Sequence, residues 1–240
     1  MSFQTTISRS PEAISAENAR FMSKVYLWMT FGILISAVVS YLTASNEPMR
    51  TFVFGNSWVF MICVVLELVL VVALSAAIKK MSALVATLVF LFYSALSGLT
   101  LASIFLIYTK GMIAQAFGLT AFSFAGLSAF GFVTKRDLGP IGSFCMMGLF
   151  GMIAYGLLAL FFPSMLGGIA DQVYSSIGII VFAGLTAYDT QKIKMLNIIG
   201  NEGTEEDHKE AIMGALTLYL DFINLFLMIL RLMGGGRSRD

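Results

Sequence analysis

Two stretches near the end of the chain decide its fold: GLTAYDTQKIK at residues 184–194 and ALTLYLDFINLFLMILRL at residues 215–232. Each places one aspartate in a largely apolar run, Asp189 in the first and Asp221 in the second, and the second run contains no basic residue before Arg231. A charge near the middle of a bilayer costs on the order of 3 kcal/mol, so such a carboxylate is a candidate functional group. We therefore expect the other helices to surround this pair of aspartates.

The composition indicates a membrane protein. Hydrophobic residues make up 58% of 240 positions, charged residues make up 12%, and the mean hydropathy is +0.86. Soluble domains have roughly 25% charged residues. The net charge of +1 gives no support to nucleic-acid binding. Cys63 and Cys145 lie in apolar runs, where a thiol usually packs as a small hydrophobic group, so we expect neither a disulfide nor a metal framework.

About 20 apolar residues are needed to cross the hydrocarbon core of a bilayer, and the chain offers seven such spans. They are 25–44, 57–78, 83–108, 112–133, 140–162, 173–194 and 211–231. This pattern predicts an all-α polytopic membrane protein, with a polar amino-terminal arm at 1–24, a transmembrane domain at 25–232 and a short tail at 233–240. The arm lacks the apolar segment of a secretory signal, so we expect the first span to act as a signal anchor. Pro11, Glu12 and several Ser and Thr indicate a loose, poorly ordered arm up to Asn18, followed by a short interfacial lead-in to the membrane. Thr204, with Asp207 three residues later, is typical of a helix amino terminus, so the last helix is expected to begin before the membrane.

The positions of lysine and arginine predict the orientation. Ten of the 15 basic residues fall on the side of the amino terminus if the spans alternate across the membrane. Because cytoplasmic loops are enriched in Lys and Arg, we expect the amino terminus in the cytoplasm. Seven spans then place the tail outside, with its arginines at 231, 237 and 239. A re-entrant last segment would instead place the tail inside.

The last span has one polar face. Gly214, Thr217, Asp221 and Asn224 follow one another at intervals of three or four residues, which brings them to the same side of a helix. A helix with a single polar stripe among apolar residues belongs inside a bundle or beside a water-filled cavity. The last two helices run antiparallel, so Asp189 and Asp221 can meet at similar depth.

Two carboxylates that meet in a poorly hydrated site tend to share a proton and titrate as a coupled pair. When the proton leaves, repulsion separates the helices or a cation binds, and a divalent ion with oxygen ligands suits the doubled charge. Asp189 and Asp221 are therefore candidate pH sensors and candidate calcium ligands. The structural alternative is that each aspartate bonds a backbone or hydroxyl group of a neighbouring helix.

Two further titratable residues stand out. Glu67 lies in the middle of the second span, where it is either an additional ligand or proton-relay residue, or a protonated side chain that bonds a neighbouring helix. His208 is the single histidine and lies in the acidic connection NEGTEEDHKE at 201–210. We interpret that connection as a solvated loop, with a metal site of one His and several carboxylates as the weaker alternative.

The two aspartate segments resemble the paired signature of the Bax inhibitor-1 family, also called the transmembrane Bax inhibitor motif family, and are most similar to its bacterial YccA-like members. YSALSGLTLASIF at 93–105 and the helix of Glu67 are similar too, so the resemblance runs from about Tyr26 to Arg231. It implies seven helices, with the last one wrapped by the other six, in a bacterial inner membrane.

The resemblance also implies a pH-sensitive calcium leak in which the acidic pair, here Asp189 and Asp221, gates the pore. Calcium would be the permeant or transiently bound ion, and no other cofactor is implied. Some members hold the acids with an arginine at the inner end of the second helix, where this chain has Ile78. Lys79 could reach a similar place, so Lys79, Glu67 and Asn224 are candidate additional pore or relay residues.

Two other classes of function stay open. The family name also implies a regulator that binds a membrane protease or another partner, for which the connection 201–210 would be the natural contact. The other class is an intramembrane aspartyl protease, because Tyr188-Asp189 is similar to the first motif of that family. The second motif, Gly-x-Gly-Asp, is absent, since residues 218–220 before Asp221 are Leu, Tyr and Leu. We therefore expect no enzymatic activity.

Overall fold

The computed structural model describes residues 10–162 and 168–235, and within this part of the chain the regular structure is helical throughout. The helices are α1 Pro11–Ser45, α2 Glu47–Phe54, α3 Ser57–Ala77, α4 Ala83–Leu101, α5 Ile104–Ile107, α6 Lys110–Val133, α7 Gly139–Phe161, α8 Gly168–Leu196 and α9 Glu205–Gly235, with a 3₁₀ turn at Ile78–Lys80. Seven segments are long and apolar enough to cross a membrane, with the 3₁₀ turn extending α3 and α5 extending α4. The predicted all-α fold with seven spans is confirmed.

Some sequence predictions fall outside the described residues. They are residues 1–9 of the arm, with Arg9, and residues 236–240 of the tail, with Arg237 and Arg239. The orientation across the membrane therefore stays a prediction. We use "amino-terminal end" for the end of the bundle that holds the start of α1 and the α3–α4 and α8–α9 connections, and "opposite end" for the other.

Helix α1 begins within the predicted polar arm. Ser10 accepts a hydrogen bond from the Ala13 amide at 3.2 Å, and Pro11 occupies the first turn, where its missing N–H costs nothing. Phe21 and Met22 are buried against the rest of the bundle. From Pro11 onward the structure thus differs from the expected poorly ordered arm, because the arm finds partners on the α8–α9 connection.

Ion pairs fix that connection to α1. The Arg20 guanidinium donates to both carboxylate oxygens of Glu202, at 2.8 and 2.9 Å, and Lys24 Nζ lies 2.7 Å from the buried carboxylate of Asp207. The Asp207 amide donates to Thr204 Oγ1 at 3.2 Å, which confirms the predicted amino-terminal cap of the last helix. These contacts hold the hairpin of α8 and α9, the two helices that carry the aspartates.

The acidic connection is partly helical rather than a loop. Residues 205–210 form the first turns of α9. His208 packs edge-on against Trp28, and its Nε2 lies 3.0 Å from Thr87 Oγ1. The interpretation of 201–210 as a solvated loop is therefore wrong for these residues, because their side chains dock onto α1 and α4.

Helix α9 is the most buried span, and α1, α4, α6 and α8 pack against it. Helix α3 packs mainly against α4, and α7 packs mainly against α8. The surround of six helices is therefore not confirmed: four helices pack closely around α9, and two lie further out. Glycine permits such close packing, since a Cβ on Gly98 would lie 2.7 Å from Val39 Cβ and 2.8 Å from the Ser36 carbonyl oxygen.

Candidate functional site

The two aspartates line the same cavity, of about 220 Å³, between α3, α7, α8 and α9. The polar face of α9 supplies Thr217, Asp221 and Asn224, and α8 supplies Asp189. The carboxylates are near enough for their charges to interact. Three residues of the predicted polar face of α9 and Asp189 of α8 thus line one cavity. Their role in gating and calcium binding stays a prediction.

Asp221 is the deepest of these residues. It is 5% exposed, and its Oδ2 atom has no hydrogen-bond partner among the described residues. The alternative expected from the sequence, in which a neighbouring helix donates a hydrogen bond to the carboxylate, therefore does not hold for this oxygen. An unpartnered buried carboxylate oxygen is costly, so this atom is a place for a proton or a cation.

The other polar side chains that line the cavity also carry oxygen atoms. Thr217 Oγ1 donates to the Met213 carbonyl at 3.1 Å, and Asn224 Nδ2 donates to the Leu220 carbonyl at 2.8 Å. The Thr217 hydroxyl hydrogen and one of the two Asn224 amide hydrogens are thus used on the backbone of α9, while Thr217 Oγ1 and Asn224 Oδ1 keep lone pairs as acceptors. Two carboxylates, a hydroxyl and an amide oxygen form a donor set that suits a hard cation such as calcium.

A larger cavity, of about 760 Å³, lies next to the first and extends toward the amino-terminal end. Asp189, Met213 and Thr217 line both cavities, so Asp189 lies where they meet. We call the larger cavity the vestibule. Its charged lining includes both signs: Lys79, Lys192, Lys209, Asp189, Glu206 and Glu210.

Lys79 lies in the vestibule beside Ile78. The structure therefore places both candidates for the latch position in the same cavity as Asp189. Among the ion pairs of the described residues, none joins Lys79 to Asp189. A basic latch on the acidic pair is thus not formed in this conformation.

Glu67 lies away from the aspartate pair. Thr100 Oγ1 on α4 donates to Glu67 Oε1 at 2.7 Å, and Glu67 lines neither cavity. Of the two interpretations, the structure fits a side chain that bonds a neighbouring helix. His208 is not part of a metal cluster either, because no group of three or more His, Cys, Asp or Glu suited to a metal occurs among the described residues.

Sequence reasoning missed an ion pair at the opposite end. The Arg231 guanidinium donates to the Asp171 carboxylate, and it also lies 5.0 Å from the centre of the Tyr174 ring. This contact joins the last turns of α9 to the first turn of α8. The sequence signal for this pair was an acidic residue at the start of one span and a basic residue at the end of the next span.

Hydroxyl groups that were not singled out connect the helices around α9. The Tyr219 hydroxyl lies 2.7 Å from Ser36 Oγ, and Ser36 Oγ donates to the Ser94 carbonyl at 2.7 Å. On the other side, Ser128 Oγ and Thr190 Oγ1 are 2.9 Å apart, which fixes α8 to α6 directly beside Asp189. Each of these hydroxyls lies in an apolar span, where a polar group must find a partner inside the protein.

Comparison with known proteins identifies the family of the chain. The sequence profile of the family described as "Inhibitor of apoptosis-promoting Bax1" matches residues 18–238. The inner membrane protein YbhL of Escherichia coli K12 is 44% identical over 218 residues, which cover 90% of this chain and 92% of the relative. An uncharacterized protein of Borreliella burgdorferi is 44% identical over 219 residues, 91% of this chain and 93% of the relative.

A third relative, an uncharacterized protein of Deinococcus radiodurans, is 39% identical over 220 residues, 92% of this chain and 91% of the relative. The profile and the relatives thus cover the seven spans, including both aspartate helices. The chain is a multi-pass integral membrane protein and belongs to the Bax inhibitor-1 family.

Proposed function

We propose that this protein is a pH-sensitive calcium leak of the membrane, in which Asp189 and Asp221 form the gate. One observation carries the proposal: two carboxylates from adjacent helices line one cavity, and a buried oxygen of Asp221 has no hydrogen-bond partner in the part of the chain that the structure describes. The vestibule gives a cation a route to Asp189 from the amino-terminal end, which we propose is cytoplasmic.

The pH dependence follows from the charge of the pair. A shared proton lowers the total charge of two adjacent carboxylates and weakens their attraction for a divalent cation. The charged groups around the pair are Lys192, on the same helix as Asp189, and the other charged residues of the vestibule that Asp189 also lines: Lys79 on the 3₁₀ turn, with Glu206, Lys209 and Glu210 on α9. We therefore expect calcium flux to increase as the pH rises and the shared proton is lost.

The described conformation corresponds to a closed state in this proposal. Beyond Asn224 the remaining turns of α9 are tightly packed, with Leu225 and Leu230 almost fully buried. The pair of Arg231 with Asp171 adds a further contact at the opposite end. Conduction then requires a movement of helices, and α3 and α7 are the spans with the smallest buried share.

The test is calcium flux into liposomes that contain the purified protein, measured with an entrapped calcium dye from pH 6 to pH 8. We expect a pH-dependent flux in the wild type and a flattened pH profile in Asp189→Asn and Asp221→Asn. Asp137→Asn is the matched control, because Asp137 is exposed and only accepts a hydrogen bond from the Gly139 amide at 2.8 Å. Flux with an unchanged pH profile in both pair variants would refute the gating role.

The alternative function, regulation of a membrane protease through residues 201–210, is less favoured by the contacts. Glu202 and Asp207 are engaged by α1, and Glu205 Oε1 accepts from the Ala83 amide at 2.9 Å. Much of the acidic charge expected to meet a partner is thus used inside the molecule. A regulator predicts a stable partner on pull-down and no flux from the purified protein. We propose no enzymatic role for the aspartate pair.

A further inference from the structure

The cavity that holds Asp221 is lined in part by exposed residues of two membrane-spanning helices, α3 and α7. Its rim includes Ser75 on α3 and Met146 on α7, and both residues are exposed on the outer surface of the bundle. These helices pack mainly against α4 and α8, respectively. We call the space between them, with Asp221 at its back, the lateral slot.

The lining of the lateral slot combines two chemistries. Most of it is apolar, with Leu149, Phe182 and Leu216 among its walls. The carboxylates lie at the back, and Asp221 Oδ2 has no partner there among the described residues. A ligand that matches both parts has a positively charged head and an apolar tail, and an opening between α3 and α7 would admit such molecules from the bilayer.

We propose that the lateral slot binds protonated alkyl amines that enter from the bilayer. An ammonium group carries three N–H donors and no acceptor. The slot offers acceptors for them at Asp221 Oδ2, at the Asp189 carboxylate and at Asn224 Oδ1, the oxygen of an amide whose nitrogen donates one of its two hydrogens to the backbone. The alkyl chain then lies along the apolar sides of α3 and α7.

This inference goes beyond the calcium leak and does not depend on it. Both use the carboxylates of Asp189 and Asp221, but the leak reaches them through the vestibule, whereas the amine reaches them through the lateral opening between α3 and α7. The two routes are distinguished by residues at the rim, which touch the slot but not the vestibule. Met146 is such a residue.

The experiment measures binding of radiolabelled dodecylamine to the full chain in phosphatidylcholine nanodiscs, with empty nanodiscs as the background. Asp221→Asn removes the carboxylate, and Met146→Trp fills the opening. Met147→Trp is the matched control, because Met147 is the next residue of α7, is 67% exposed and does not line the slot. Dodecanol, which has the same chain without the charge, is tested as a competitor.

We expect saturable binding to the wild type and to Met147→Trp. A hydrogen bond to a charged group is worth enough to change affinity by about tenfold or more, so Asp221→Asn should weaken binding at least about tenfold. Met146→Trp should weaken binding at least about tenfold as well, because the larger side chain fills the opening. Dodecanol should not displace the amine. Absence of saturable binding in the wild type, equal binding in all variants, equal losses in the two tryptophan variants, or displacement by dodecanol would each overturn the inference. Calcium flux through Met146→Trp reports on the leak separately.

Discussion

Replacement of Asp221 by asparagine should stabilise the protein at high pH. Asp221 is 5% exposed, and its Oδ2 atom has no hydrogen-bond partner among the described residues. An ionised carboxylate in this position lacks the water that would solvate it. Asparagine has nearly the same shape and carries no charge, so it removes this cost while keeping the packing of α9.

The magnitude follows from the buried charge, because asparagine still places a polar atom at this position. A buried polar group without a partner costs about 1–3 kcal/mol and a charged one costs more, so removal of the charge is worth on the order of 1–3 kcal/mol. One kcal/mol shifts the melting temperature of a chain of this size by ~2–4 °C. Asp221→Asn should therefore raise the melting temperature by roughly 2–12 °C at pH 8. The gain should shrink as the pH falls, because protonation of the wild-type carboxyl removes the same charge. The wild type thus loses stability as the pH rises, and the variant shows a flatter profile.

The assay is thermal unfolding in detergent at several pH values, and Asp171→Asn is the comparison of opposite sign. Asp171 is paired with Arg231, so its replacement removes a partner instead of an unpartnered charge and should lower the melting temperature. If Asp221→Asn were destabilising at every pH, as Asp171→Asn is expected to be, the carboxylate of Asp221 would have a stabilising partner and the reasoning about the cavity would be wrong.

Three other changes test the fold around the site. Lys24→Ala leaves the buried carboxylate of Asp207 without its ion pair and should cost about 1–3 kcal/mol in the free energy of unfolding, since Lys24 is itself partly exposed. Gly98→Leu should cost at least about 1–3 kcal/mol, because a Cβ there would meet Val39 and the α1 backbone, while Gly126→Leu, in open space, should stay near the wild type in the same thermal assay. Glu67→Gln keeps an oxygen that can accept from α4 and should leave the pH profile of calcium flux in liposomes unchanged.

The spacing of polar residues was enough to predict that they lie together on one face of the last helix. Thr217, Asp221 and Asn224 recur at helical intervals in a run that is otherwise apolar, and this pattern requires a polar environment on one face only. The structure supplies that environment as a cavity shared with Asp189. Hydropathy likewise predicted all seven spans, because the length of an apolar run follows from the thickness of the bilayer.

The positions of the helices around α9 could not be predicted in the same way. The spans of α3 and α4 are both strongly apolar, yet α4 packs against α9 and α3 lies outside it. In lipid, apolar side chains carry no preference for the protein interior over the membrane, so hydropathy does not say which face is buried. The arm from Pro11 was misjudged for a related reason, since its ordering depends on ion pairs with residues more than 180 positions away.

The α8–α9 hairpin and the outer helices α3 and α7 have different roles around the aspartate pair. At one end, α1 holds the α8–α9 connection through Arg20 with Glu202 and holds the start of α9 through Lys24 with Asp207. At the other end, Arg231 of α9 pairs with Asp171 of α8. Contacts at both ends of the hairpin oppose a change in the separation of Asp189 and Asp221. In the proposed leak, a change in the charge of the pair would then act on the more loosely packed walls, α3 and α7, which line the cavity through Ser75, Met146 and Leu149. Movement of these outer helices, rather than separation of the two aspartates, is the conformational change that this arrangement favours.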